Sequence, residues 1–128
     1  MRTIYLAGPI NGCTDVEARG WRDAVKGELA GLYRFTDPMD DDFRGHEADN
    51  AAQIVRRDQA RIRHAHIVLA NAWRPSVGTP MEVAYAHKEG KHIIVVQPSP
   101  VSPWYEYHAS HIAANLTSAT SYLRARAA

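Results

Sequence analysis

Ile67-Val68-Leu69-Ala70-Asn71-Ala72-Trp73-Arg74-Pro75-Ser76-Val77-Gly78-Thr79-Pro80-Met81-Glu82-Val83-Ala84-Tyr85-Ala86 decides the fold class of this chain. Ile67 to Ala70 is an unbroken apolar run of strand length. A short loop follows, and a helix opens at Pro80 and stops at Gly90, with Lys88 and Lys91 near its negative end. Ile93-Ile94-Val95-Val96 comes next, a β-branched run suited to a strand buried on both faces of a parallel sheet. Strand, helix and strand in this order make a βαβ unit. Ligands of open α/β sheets sit outside the carboxyl ends of strands, where this segment places Ser76, Gly78 and Glu82.

The same alternation extends in both directions. Thr3 to Ala7 is a short strand, broken by Gly8-Pro9-Ile10-Asn11-Gly12. Thr14-x-x-Glu17 is a capping box. Val16, Gly20, Ala24, Val25, Leu29 and Leu32 follow at helical spacing, with Gly31 as the stop signal. Tyr33 to Thr36 gives a second strand, and Asp37 to Asn50 an acid-rich loop long enough to suggest function. Ala51 to Ala65 reads as a helix with Ala51, Ile54, Val55, Ile62 and Ala65 on its apolar face. Ser99 to Tyr107 reads as a loop and Ile112 as part of a fifth strand. Thr117 to Arg126 is a closing helix capped by Thr117 or Ser118. The expectation is an α/β fold: one domain over residues 1–128, with a parallel sheet of about five strands and helices on both faces.

Composition narrows the function classes. The chain has 128 residues, with 15 Lys+Arg against 14 Asp+Glu, a formal net charge of +1. This balance gives no reason to expect a nucleic-acid duplex or an anionic membrane as partner. The single cysteine, Cys13, cannot form an internal disulfide, which points to a reducing compartment. The apolar core after Met1 is too short for a signal peptide, and no apolar run reaches the roughly 18 residues of a membrane span. A cytoplasmic location is expected. Seven histidines show no metal-ligand spacing, and Asp40-Asp41-Asp42 reads as a solvated run.

Two carboxylates carry the candidate chemistry. Glu82 falls in the first turn of its helix as read here, where the helix dipole favours the ionised form that a nucleophile needs. The same residue completes a Thr79-Pro80-Met81-Glu82 capping box, so a purely structural role stands beside the chemical one. Asp58 lies four residues after Ile54 and four before Ile62, on the apolar face of its helix. A buried acid there either pairs with Arg57 or Arg61 or lines a pocket. Two acids at one sheet edge suit acid/base and nucleophilic work on a glycosidic bond. The Gly8 to Gly12 loop leaves a strand and enters a helix, a geometry that lets backbone N–H groups approach an anion. It has neither the Walker ending nor the dinucleotide glycine spacing.

Together these residues resemble the nucleoside 2-deoxyribosyltransferase superfamily, from Ile4 to about Leu123. The resemblance rests on Ile4-Tyr5-Leu6-Ala7-Gly8-Pro9-Ile10, Asp58 ahead of Ala65-His66-Ile67-Val68, Ser76 to Ala86, and Gly90-Lys91-His92-Ile93. It implies a flavodoxin-like sheet and cleavage of an N-glycosidic bond in a nucleoside or nucleotide, without metal or organic cofactor. Glu82 falls on the family nucleophile, which forms a glycosyl-enzyme intermediate. Asp58 falls on the aspartate near the base, and Tyr5 on the tyrosine that hydrogen-bonds the nucleophile. Ser76 stands where nucleoside transferases carry an acid, and so resembles the branch that hydrolyses nucleoside 5′-monophosphates. That branch implies phosphate binding by Gly8, Ile10, Asn11 and Gly12, with Ser76 and Gly78, and by Ser102 reaching across a homodimer. His66 replaces a usual aspartate. The Asp37 to Asn50 loop has no clear counterpart, and Asp40, Phe43 and Arg44 are its candidates for contacting a base. A base-exchanging transferase and a non-catalytic nucleotide-binding module are the alternatives.

Overall fold

The computed structural model describes residues 1–127. Five strands, β1 (Thr3–Ala7), β2 (Arg34–Thr36), β3 (Ile67–Asn71), β4 (His92–Val96) and β5 (His111–Ala113), form one sheet in the order β2-β1-β3-β4-β5. Every pairing is parallel. The helices are α1 (Trp21–Glu28), α2 (Ala51–His64), α3 (Gly78–Lys88), α4 (Pro103–His108) and α5 (Leu116–Arg126). The connection after β1 and the one after β3 lead to opposite faces, so the crevice between these two strands is the switch point where such sheets bind ligands.

The two-residue period of the strands sorts the core into two layers. Ile4 and Leu6 of β1 join Ile67, Leu69, Ile94 and Val96 against α1 and α5. Tyr5 and Ala7 face the other way, with Val68, Ala70, Ile93 and Val95, against α2, α3 and α4. This alternation brings Tyr5 to the layer that carries Asp58 and Glu82.

The structure departs from the sequence reading in several places. Asp15 is followed by a π-helical turn, Val16–Gly20, before α1 begins. Its i→i+5 bonding shifts the angular register, which leaves Val16 exposed despite its helical spacing from Val25. The Thr14 capping box does form: Thr14 N donates to Glu17 Oε1 (2.9 Å) and Glu17 N to Thr14 Oγ1 (3.3 Å). Val55 is half exposed because only part of its helix face meets the sheet. The expected loop from Ser99 to Tyr107 contains α4, started by Ser102 as cap and Pro103 at its first position. Helix α5 is capped by Asn115, whose side chain accepts from Ser118 N, rather than by Thr117 or Ser118. Among the described residues no helix is long and apolar enough to cross a membrane.

Candidate active site

Glu82 lies in α3 and Tyr5 at the centre of β1. The Tyr5 hydroxyl donates to Glu82 Oε2. Helix α3 begins at Gly78, two residues earlier than the proline suggested, so Glu82 sits in the second turn. It is not a cap, because its carboxylate turns inward to Tyr5 and no side chain caps α3. Its first-turn advantage is lost with that shift. Burial and the neighbouring charge of Asp58 push its pKa up to about 8, against the milder pull of Tyr5, Arg22 and Arg61. Burial, with the charges of Glu82 and Asp58, holds Tyr5 well above its ordinary range. The hydroxyl is therefore a donor at every physiological pH.

Asp58, on α2, is partly buried and is raised by that burial. Arg61 Nη1 donates to Asp58 Oδ1 at 3.0 Å and opposes the shift. The ion-pair reading of Asp58 holds, and the charge of the same carboxyl raises the pKa of Glu82. Arg61 also binds Asp41 through Nη2, and Arg57 reaches Asp41 at 2.9 Å. The acidic run is therefore not merely solvated. Asp41 ties the 37–50 loop to the partner of Asp58. Asp42 is held low by Arg44, which also binds Asp15 and the Cys13 carbonyl. Of the loop candidates, Arg44 is committed to these acids, while Asp40 and Phe43 have no ion pair or side-chain hydrogen bond among the described contacts.

Arg22 is the residue that sequence reasoning missed. Its side chain is fully buried beneath the end of β1. It donates to the carbonyls of Leu6 (3.2 Å), Ala18 (2.5 Å) and Gly8 (3.0 Å), and lies 3.5 Å from Asp37. Its position in a helix gave no signal, because helical arginines are ordinarily solvated. Its charge contributes to holding Glu82 below the value that burial alone would set.

The first βα loop is shaped by two glycines. A Cβ on Gly8 would come within 2.6 Å of the Trp21 ring and 3.3 Å of the Asn71 carbonyl. Gly12 adopts φ +73°, a left-handed conformation that favours glycine. Ile10 packs against Cys13, Ala18 and Met39, and its carbonyl accepts from Cys13 N at 2.9 Å. Ile10 can therefore offer a ligand only its backbone and one edge of its side chain. Asn11 is exposed, and its carbonyl accepts from Arg74 Nη2 at 2.9 Å. Opposite, Gly78 opens α3 with free space where a Cβ would stand.

Beyond the ends of β3 and β4 lies a cavity of about 550 Å³. Ser76, Ser102, Arg74, Trp73, Trp104 and Tyr105 are among its lining. Ser76 Oγ is buried and has no hydrogen-bond partner among the described residues. Ser102 Oγ accepts from Trp104 N at 3.2 Å, so it serves as the cap of α4 while facing the same cavity as Ser76 of its own chain. The charge of Glu82 raises the pKa of Tyr105 beyond the effect of burial. His66 Nδ1 accepts from Thr3 N at 3.0 Å, which fixes the start of β1. Among the described residues no group of His, Cys, Asp or Glu is arranged to hold a metal.

The family model described as Nucleoside 2-deoxyribosyltransferase matches residues 4–117. A comparison with curated proteins gives no match. Several solved structures share the fold. A conserved protein from Enterococcus faecalis V583 superposes with TM-score 0.76 at 12% identity, covering 98% of this chain and 99% of its own. A 2-deoxyribosyltransferase from Bacillus psychrosaccharolyticus gives 0.74 at 16% identity, with 98% and 95% covered. The Clostridium botulinum CMP N-glycosidase BcmB gives 0.67 at 14% identity, with 97% and 99% covered.

Proposed function

Because this chain belongs to the nucleoside 2-deoxyribosyltransferase family, we propose that it hydrolyses the N-glycosidic bond of a (deoxy)nucleoside 5′-monophosphate. The products are free base and (deoxy)ribose 5-phosphate. The contact that carries this reading is Tyr5 donating to the buried carboxyl of Glu82, with Asp58 in electrostatic reach. Glu82 attacks the anomeric carbon, and an ester forms as the bond to the base breaks. The departing base takes a proton from Asp58. Water then opens the ester and returns a proton to the carboxyl pair. Like charges close together disfavour double ionisation, so the empty site retains one proton near neutrality. Tyr5 keeps the attacking oxygen of Glu82 in place. Arg61 orients Asp58.

Ser76 supports hydrolysis of a monophosphate over transfer between nucleosides. A carboxylate at that position would repel a 5′-phosphate, whereas a hydroxyl donates to one. The test is a panel of nucleosides and their 5′-monophosphates, scored for free base by chromatography, with and without a second base. Free base from monophosphates, and no new nucleotide when another base is added, is the expected result. A new nucleoside formed from the added base would establish the transferase instead. Tight monophosphate binding with no base released would leave a binding module.

We also propose a homodimer. Val77 just ahead of α3, Met81 of α3, and Trp104 and Tyr107 of α4 expose large apolar surface where these two helices pack side by side. Sedimentation equilibrium is expected to give twice the 14.3 kDa chain mass. A monomer at tens of micromolar would remove this assignment.

A further inference from the structure

A 5′-phosphate carries up to two negative charges, yet Gly8 to Gly12, Ser76, Gly78 and Ser102 are all neutral. Hydrogen bonds from neutral donors are roughly half as strong as charge-assisted ones, so such a site calls for a cation. Arg74 is placed to supply it. It stands two residues before Ser76, on the loop from β3 to α3. Its guanidinium crosses to the first βα loop, where Nη2 donates to the Asn11 carbonyl at 2.9 Å. The same nitrogen lies 3.7 Å from where a Gly12 Cβ would be. One side chain therefore spans both loops between which the phosphate would sit.

Arg74 is also weakly committed, unlike the neighbouring cations. Arg22 is fully buried and holds three carbonyls. Arg44 is bound by Asp15 and Asp42, and Arg61 by Asp41 and Asp58. Among the described residues the one acid paired with Arg74 is Glu17, at 4.0 Å, and that carboxylate already accepts from Thr14 N. The guanidinium lies 5.1 Å from the centre of the Trp73 ring, which limits its orientations. On the same cavity wall, Ser76 Oγ is buried and without a hydrogen-bond partner among the described residues. A buried hydroxyl left unpaired costs free energy that a bound oxyanion would recover.

We propose that Arg74 is the charge-reading residue of the substrate site. It binds the 5′-phosphate together with Ser76 and selects phosphorylated over unphosphorylated nucleosides. The assignment rests on the monophosphate reading of the preceding subsection. Its test is the ratio of kcat/KM for a monophosphate to that for the parent nucleoside, in the wild type, Arg74→Gln and Arg74→Lys. Loss of a charge-assisted contact lowers such a ratio by about 10- to 100-fold. That fall is expected for Arg74→Gln, with a smaller one for Arg74→Lys, which keeps the charge but not the fork.

A second readout is independent of turnover. Inorganic phosphate at millimolar concentration is expected to raise the melting temperature of the wild type and not that of Arg74→Gln. A wild type that prefers monophosphates, joined by an Arg74→Gln variant with an unchanged ratio and unchanged phosphate protection, would overturn the role of Arg74 alone. A wild type with no preference for monophosphates would overturn the substrate reading and the inference with it.

Discussion

Glu82→Gln is expected to lower kcat by about a thousandfold or more while making the protein more stable at alkaline pH. Both effects have one cause. The carboxyl is held where burial and Asp58 oppose its ionisation, with a pKa raised to about 8 from an ordinary 4.5. Between these values the native state binds more protons than the unfolded chain. Stability contributed by Glu82 is therefore fully present below about 4.5 and is lost as pH rises through 8. The loss amounts to roughly 2–4 kcal/mol after allowance for partial solvent access. Glutamine keeps the shape and can still accept from Tyr5, but never carries the charge. Its melting temperature is expected to exceed that of the wild type by about 5 °C or more at pH 9 and to match it near pH 5. In the wild type, kcat/KM is expected to fall as pH rises through about 8, because the carboxyl pair then loses the proton that Asp58 gives to the departing base. A Glu82→Gln protein that still releases base would remove Glu82 from the chemistry. Equal melting temperatures at both pH values would show that the carboxyl is not held out of water.

Arg22→Met is expected to cost about 3–5 kcal/mol, read as a lower midpoint in urea unfolding. Methionine fills most of the same volume, so the loss is not chiefly a cavity. It comes from three carbonyls, Leu6, Ala18 and Gly8, that lose a charged donor, and from Asp37, which keeps only Lys26 as its ionic partner. Asp37 is itself nearly fully buried, and leaving it under-compensated accounts for much of the penalty. Adding Asp37→Asn to Arg22→Met should therefore restore part of the stability. A loss under 1 kcal/mol in the single variant would mean that water replaces the guanidinium. The same substitution loosens the Gly8 carbonyl, so weaker monophosphate binding should accompany it.

The parallel sheet was legible because β3 and β4 are continuous apolar runs set between glycine and proline breaks. Their alternation with helical spacing leaves few topologies. Helix α4 was not legible. Its six residues are too few for a periodic signal, and Pro100 ahead of it and Pro103 at its first position read as loop. The exposed Val16 was misplaced because a π-helical turn shifts the register without leaving a mark in residue type. The Thr14 capping box was legible because both partners lie within three residues of each other. The Thr79 to Glu82 box has the same pattern and does not form, since Glu82 finds Tyr5 instead.

That last contrast separates the two levels. Sequence by itself determined the alternation of strands and helices apart from α4, the place of Tyr5 in β1, and the family to which these motifs point. Each depends on local spacing or on residue type. Tertiary structure alone decided the protonation of Glu82, the tie between Arg61 and Asp41, and the burial of Arg22. Desolvation and charge coupling depend on atoms that folding brings together from distant parts of the chain. Tyr5 and Glu82 stand 77 residues apart in sequence yet share a hydrogen bond, and a helix dipole inferred from position gives way to the low-polarity surroundings that the fold supplies.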